Sequence, residues 1–256
     1  MRNARRLFLC LAALVIIVAA LGGLMALDTG SMVVEAQSDE EPTATPPTIT
    51  SIKELMVFLA DDDPSIGETD APVVIVEFSD YLCPYCGKFY LETLPQIMEE
   101  YPEQVLYVHR DYPIFGDSSV ELALSAGCAG DQDLFWELHR VYLSYFEDMD
   151  FEALAERKRN PPEQGEGGFH DMQNYYTEER ILEIAEEIGM DLGLFSECMA
   201  DQRHLSEIAY DYQIGAQIGI EGIPYFIING QTVSGAQEYE LFQQVIDYAL
   251  AVAAQE

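Results

Sequence analysis

Two cysteines three positions apart, in the run Cys83-Pro84-Tyr85-Cys86, are the residues of this chain best suited to chemistry. They stand where a strand pattern hands over to a helical one, so Cys83 falls at a helix start. Such a start offers unpaired N–H groups and a partial positive charge of about half a unit. A thiolate placed there accepts those bonds, which takes cysteine pKa values from about 8.5 into a range of roughly 3.5 to 7.5. Two cysteines on one helical turn can also close into a disulfide. The outer one, Cys83, can attack a partner's sulfur, and the inner one, Cys86, can resolve the mixed disulfide. Zinc is the first competing reading, but it needs four ligands and the chain has no second close Cys/His pair. His109, His139, His170 and His204 are each isolated along the chain, and His139 lies on an apolar stripe, as a core histidine does. A purely structural bond is the second, and it would close very little chain. Redox exchange without a metal is the reading adopted.

The elements that must position this dithiol are legible around it. PVVIVEF (72–78) is a continuous apolar run, the pattern of a strand buried on both faces. Leu94, Ile97, Met98 and Tyr101 recur at helical spacing, which predicts a helix from Cys83 to about Tyr101, kinked at Pro95. QVLYVHRD (104–111) reads as a second strand. From about Ser118 to Ala216 the pattern is helical, with stripes such as Phe135/His139/Tyr142/Leu143/Phe146, Leu194/Phe195/Cys198/Met199 and Leu205/Ile208/Ala209/Tyr212. RNPPEQGEGG (159–168) reads as a loop. PYFIING (224–230) returns to strand, and Asn229-Gly230 predicts a tight turn into QTVSG before a last helix. The order is β-α-β, a block of helices, then β-β-α.

Residues 7–27 form an apolar run of 21 behind Arg2, Arg5 and Arg6. As a helix it would reach about 32 Å, against a hydrocarbon core of roughly 30 Å. An uncleaved anchor is preferred to a cleaved signal peptide, and both put the chain after about residue 36 outside the cytoplasm. The Pro/Thr-rich, acidic stretch that follows reads as a tether. Against 46 Asp+Glu the chain has 12 Lys+Arg, a net charge of −34. A surface so acidic repels phosphate backbones, which argues against nucleic acid as a partner. With 49% apolar and 11% aromatic residues the chain can bury a core.

The run from Gly67 to Tyr142, with GETDAPVVIVEFSDYLCPYC, HRDYP and CAGDQDLFWELHRVY, resembles the DsbA-like thiol:disulfide oxidoreductases. The closing GIEGIPYFIINGQTVSGAQ is similar to the same family's end. The resemblance implies an α/β protein: a thioredoxin fold interrupted by an inserted all-helical domain and preceded here by an N-terminal transmembrane anchor or signal. The expected division is 1–27 anchor, 28–66 tether, 67–117 first thioredoxin part, 118–216 helical insert and 217–256 second thioredoxin part.

The resemblance also implies roles. Cys83 matches the nucleophile and Cys86 the resolving cysteine. Pro224 matches a proline held cis beside the dithiol, with Ile223 meeting an incoming extended peptide; without the family, Gly222-Ile223-Pro224 reads only as a turn. Glu77, six residues before Cys83, matches an acid that exchanges a proton with the resolving cysteine. A carboxylate on a strand buried on both faces is costly, which raises its pKa; an edge glutamate reaching solvent is the alternative. Pro84 and Tyr85 tune the dithiol, and strongly oxidising relatives have a histidine where Tyr85 stands. The potential is therefore expected below theirs. Cys128 and Cys198, both on apolar helical faces, are either two packed thiols or a second, structural disulfide, and the resemblance favours the bond. No cofactor and no metal are implied. The implied partners are reduced or unfolded exported proteins and a membrane quinone-linked reoxidase, DsbB-like or VKOR-like. The leading reading is an extracytoplasmic dithiol oxidase. A reductase or isomerase using the same dithiol, and a non-catalytic peptide-binding holdase, are the alternatives.

Overall fold

The computed structural model describes residues 63–159 and 174–255. The anchor run 7–27, His170 and most of the RNPPEQGEGG loop lie outside the described residues. No helix among the described residues is long and apolar enough to cross a membrane.

Five strands make one mixed sheet: β1 (Ser65–Ile66), β2 (Val73–Ser79), β3 (Val105–Asp111), β4 (Tyr225–Ile228) and β5 (Gln231–Ser234). Their spatial order is β1-β3-β2-β4-β5. β2 runs parallel to β3, with Ile75 opposite Tyr107 and Glu77 opposite His109. β4 pairs antiparallel with β2 on its other side and with β5, placing Phe226 opposite Glu77. The β-branched run thus became the central strand, with paired backbone on both edges and apolar packing on both faces. One face holds Ile75, Tyr107, Phe226, Phe242 and Ile246, and the other Val76, Phe78, Val108 and Ile227. β1, two residues inside the stretch read as tether, was not foreseen; it pairs antiparallel with β3.

The helix after the dithiol is not continuous. α1 (Pro84–Lys88) passes through a π-helical turn (Phe89–Thr93) into α2 (Leu94–Glu100). Pro95 has no N–H, and its ring would clash with the carbonyl four residues back. Widening the turn by one residue accommodates that clash, so the kink expected at Pro95 takes the form of a π turn.

The helical region contains α3 (Asp117–Gly130), α4 (Phe135–Ser144), α5 (Phe151–Arg159), α6 (Glu178–Glu187), α7 (Leu192–Asp201) and α8 (Leu205–Gln217), before a closing α9 (Tyr239–Ala253). Leu122, Leu138, Tyr142, Phe146, Ile181 and Phe195 build its core, which Tyr81 and Leu82 of the pre-dithiol loop join. Two stripes differ from expectation. Leu194 is 56% exposed, and α8 buries Ile208, Asp211 and Gly215 while Ala209 and Tyr212 face out. The reason on α8 is an ion cluster: Asp211 and Asp63 both meet the buried guanidinium of Arg110 on β3, so a charge takes the core position.

A disulfide joins Cys128 on α3 to Cys198 on α7 across 70 positions. On the loop-entropy model such a closure contributes about 4 kcal/mol. The double replacement Cys128→Ala/Cys198→Ala should lower unfolding stability by about that much while leaving exchange at Cys83 intact below the new melting point. Denaturant titration with and without the pair measures it, and a loss under about 1 kcal/mol contradicts the entropic account.

Candidate active site

Each wall of the dithiol comes from a different element. β2 ends at Ser79, and the buried Asp80 carboxylate then accepts the backbone N–H groups of Leu82 at 2.8 Å, Ile114 at 2.8 Å and Phe115 at 3.4 Å. One side chain therefore ties the loop before the dithiol to the loop after β3. Burial raises the Asp80 pKa, against the pull of its hydrogen bonds to Leu82, Ser119, Ile114 and Phe115. Tyr81, next in the chain, is buried against α4 and shares a 3.0 Å hydrogen bond with His139 Nδ1.

Cys83 is the N-cap of α1, with φ −88° and ψ 113°, and no side chain caps the helix start. Pro84 fills the first turn, where its missing N–H costs nothing. The N–H groups of Cys86 and Gly87 both donate to the Cys83 carbonyl at 3.1 Å. Gly87 is required by packing: a Cβ there would lie 2.2 Å from Cδ2 of Phe146. Gly87→Ala should cost roughly 1–3 kcal/mol of stability through overpacking, read as a shifted denaturation midpoint. An unchanged midpoint would mean that this contact between α1 and the turn after α4 yields freely.

Both thiols are free and both are buried; Cys83, expected to face outward, is only 3% exposed. The reason lies 140 residues away, where the Ile223–Pro224 bond is cis and the Ile223 carbonyl stands 3.8 Å from Cys83 Sγ as acceptor. Pro224 is held in turn by the N–H of Gly235 on its carbonyl, at 2.8 Å. Burial pushes the Cys86 thiol well above the ordinary cysteine range, reinforced by the neighbouring Cys83 sulfur and the Glu77 carboxylate and opposed by Ser79. Tyr85 is partly exposed and tilts against Phe151 of α5, with ring centroids 6.5 Å apart.

Glu77 does not reach solvent. It is 1% exposed on the central strand, and its Oε2 accepts the hydroxyl of Tyr107. Burial pushes its pKa up to about 7, while His109, Tyr107 and Ser79 pull it back. A carboxyl that titrates near neutrality beside a thiol that holds its proton tightly can take that proton and return it.

Sequence reasoning missed Ser79, Tyr107 and His109, which surround Glu77. The signal for Tyr107 and His109 was a period-two alternation, Tyr107, His109, Asp111, along the strand. The four histidines are also not all isolated in space: the His109 and His139 rings are 4.7 Å apart. Outside the dithiol, one group of possible metal donors occurs among the described residues, Asp131, Cys198 and His204, and Cys198 there is already disulfide-bonded.

A family model described as thioredoxin matches residues 60–248. Among curated relatives, the Na(+)/H(+) antiporter NhaA 3 of Salinispora tropica is 27% identical over 208 residues, 79% of this chain and 27% of its own. The chain thus spans about a quarter of the length of the antiporters it matches. A probable disulfide bond formation protein D of Bacillus anthracis is 26% identical over 201 residues, covering 76% of this chain and 81% of the relative. Among solved structures, a thioredoxin-like oxidoreductase from Silicibacter pomeroyi superposes with TM-score 0.59 at 24% identity, covering 77% of this chain and 96% of the other. Oxidised BdbD from Bacillus subtilis gives TM-score 0.58 at 20% identity, covering 74% and 93%. These superpositions show a shared thioredoxin-like α/β fold, and the family match over residues 60–248 shows that the chain belongs to the thioredoxin family.

Proposed function

We propose that the protein is an extracytoplasmic dithiol oxidase that donates the Cys83–Cys86 disulfide to exported proteins. The observation that carries this reading is the inequality of the two thiols. Cys86 is fully buried and clings to its proton, whereas the Cys83 sulfur, 3% exposed, lies at the seam between α1 and the Ile223-Pro224 segment.

In the oxidised form a substrate thiolate attacks Cys83 Sγ. The Cys83–Cys86 bond breaks, a mixed disulfide forms, and Cys86 leaves with the proton supplied by Glu77. A second substrate thiolate then attacks the substrate sulfur of the mixed disulfide and expels Cys83 as thiolate. Two electrons have passed from the substrate dithiol to the protein, which a membrane quinone-linked partner would remove. Ile223 pairs with the substrate main chain in strand fashion, and Pro224 holds that carbonyl at the sulfur. Pro84 and Tyr85 set the potential.

The direction is supported by the Bacillus relatives, whose names specify disulfide bond formation. The buried Cys128–Cys198 bond in the same chain also fits an oxidising compartment. Residues 7–27 would tether the domain to the outer face of the membrane, with 118–216 as the insert.

Alkylation trapping in the native compartment tests this. The dithiol should be found oxidised, with an equilibrium potential against glutathione between about −270 mV, typical of thioredoxin, and about −120 mV, the strongly oxidising extreme. A dithiol found reduced in the compartment would reverse the assignment to a reductase.

A further inference from the structure

The structure leaves two buried polar atoms without partners on neighbouring strands beside the dithiol. Glu77 and His109 face each other directly in the β2–β3 register. Glu77 Oε1 and His109 Nδ1 are both buried and neither makes a hydrogen bond. An orphaned buried polar atom costs on the order of 1–3 kcal/mol, and two on facing residues ask for a function.

The surroundings of His109 decide which ring carries charge. From its own strand, Asp111 Oδ1 lies 3.2 Å from Nε2. Glu77 faces it from β2, Asp63 acts on it from the segment before β1, Tyr81 packs on it from the pre-dithiol loop, and His139 meets it from α4 at 83°. Burial opposes a charge on His109, but Asp111, Glu77 and Asp63 outweigh it and its pKa is raised. His139 goes the other way: burial and then His109 push it well below the ordinary histidine range. Its Nδ1 is engaged by Tyr81, so it backs His109 as a neutral ring. Asp111 is partly open to water, which gives the network one end at the surface.

We propose that His109 is a positioning residue for Glu77: its imidazolium, held by Asp111 and backed by neutral His139, stabilises the ionised carboxylate and so sets the pH range in which Glu77 exchanges a proton with Cys86. The inference rests on the reading that Glu77 serves Cys86. His109 touches neither thiol in this scheme and acts only through the carboxylate.

The test is the first-order collapse of the Cys83–glutathione mixed disulfide, which forms Cys83–Cys86 and releases glutathione. It is followed across neutral pH after mixing reduced protein with oxidised glutathione. His109→Gln should move the acid limb of the profile upward by about one pH unit, a roughly tenfold loss below the limb. The same substitution in a Glu77→Gln background should move nothing. If Glu77→Gln alone leaves the profile unchanged, the role of Glu77 itself is wrong. If Glu77→Gln acts but His109→Gln does not shift the limb, or shifts it equally in both backgrounds, the positioning role is overturned. Fluorescence of Trp136, which packs on His139, reports whether the variant has folded. Should it fail, NMR titration of the unsubstituted protein decides: the Glu77 carboxyl carbon and the His109 ring must each register the other's ionisation, and two independent single-site curves overturn the proposal.

Discussion

Replacing Cys83 by serine reduces disulfide exchange to the uncatalysed background while the protein stays folded. A hydroxyl in place of the thiol is not ionised at any working pH and cannot form the sulfur–sulfur bond through which exchange proceeds. The substitution is nearly isosteric, and the sulfur's contacts with the Cys86 thiol and, at 3.8 Å, with the Ile223 carbonyl are weak ones. Stability should therefore change little, and the melting temperature separates loss of chemistry from loss of fold. Cys86→Ser gives the complementary result: Cys83 still attacks, nothing resolves, and covalent adducts with substrate accumulate on a non-reducing gel. A Cys83→Ser protein that still oxidised a reduced, unfolded substrate would remove the dithiol from the mechanism. One that kept only an ability to suppress aggregation would point to a holdase.

Glu77→Gln should act in opposite senses on rate and on stability. Loss of a positioned general base or acid slows proton-coupled steps by roughly 10²- to 10⁴-fold, here the attack and departure of Cys86, whose buried thiol holds its proton tightly. The effect on stability has the other sign. The folded protein raises the Glu77 pKa from 4.5 to about 7, chiefly by burial. The folded state therefore binds this proton more tightly than the unfolded chain does. Stability falls as pH climbs from about 4.5 to about 7, and the full penalty applies above that. A shift of that size corresponds to about 3 kcal/mol. Glu77→Gln should be more stable than the parent by up to that amount at pH 8 and no more stable at pH 4. Urea denaturation at the two pH values measures the difference, and an equal gain at both would mean that the carboxylate's charge is not what the fold is bearing.

How far these expectations were legible in the chain depends on the range of the interaction. The dithiol, its place at a helix start, the central strand and the Asn229-Gly230 turn are local patterns. A few consecutive residues specify them, and they stand in the structure where they were read. The break at Pro95 was local too, and it takes the form of a π turn over Phe89–Thr93. Side-chain periodicity was less reliable on α8. An apolar stripe there assumes an apolar counterpart, and the counterpart was the Arg110 guanidinium.

Composition and spacing determined that this chain has an α/β fold with a close pair of cysteines at the start of a helix, because hydrogen-bond geometry and hydrophobic period act over a few residues. Tertiary structure alone decided how that pair is tuned. It closed the Ile223 carbonyl over Cys83, buried Glu77 among Tyr107, Ser79 and His109, and brought His139 from the helical region onto a strand of the sheet. Burial and charge neighbours govern proton affinity, and both are properties of residues far apart along the chain that meet only once it has folded.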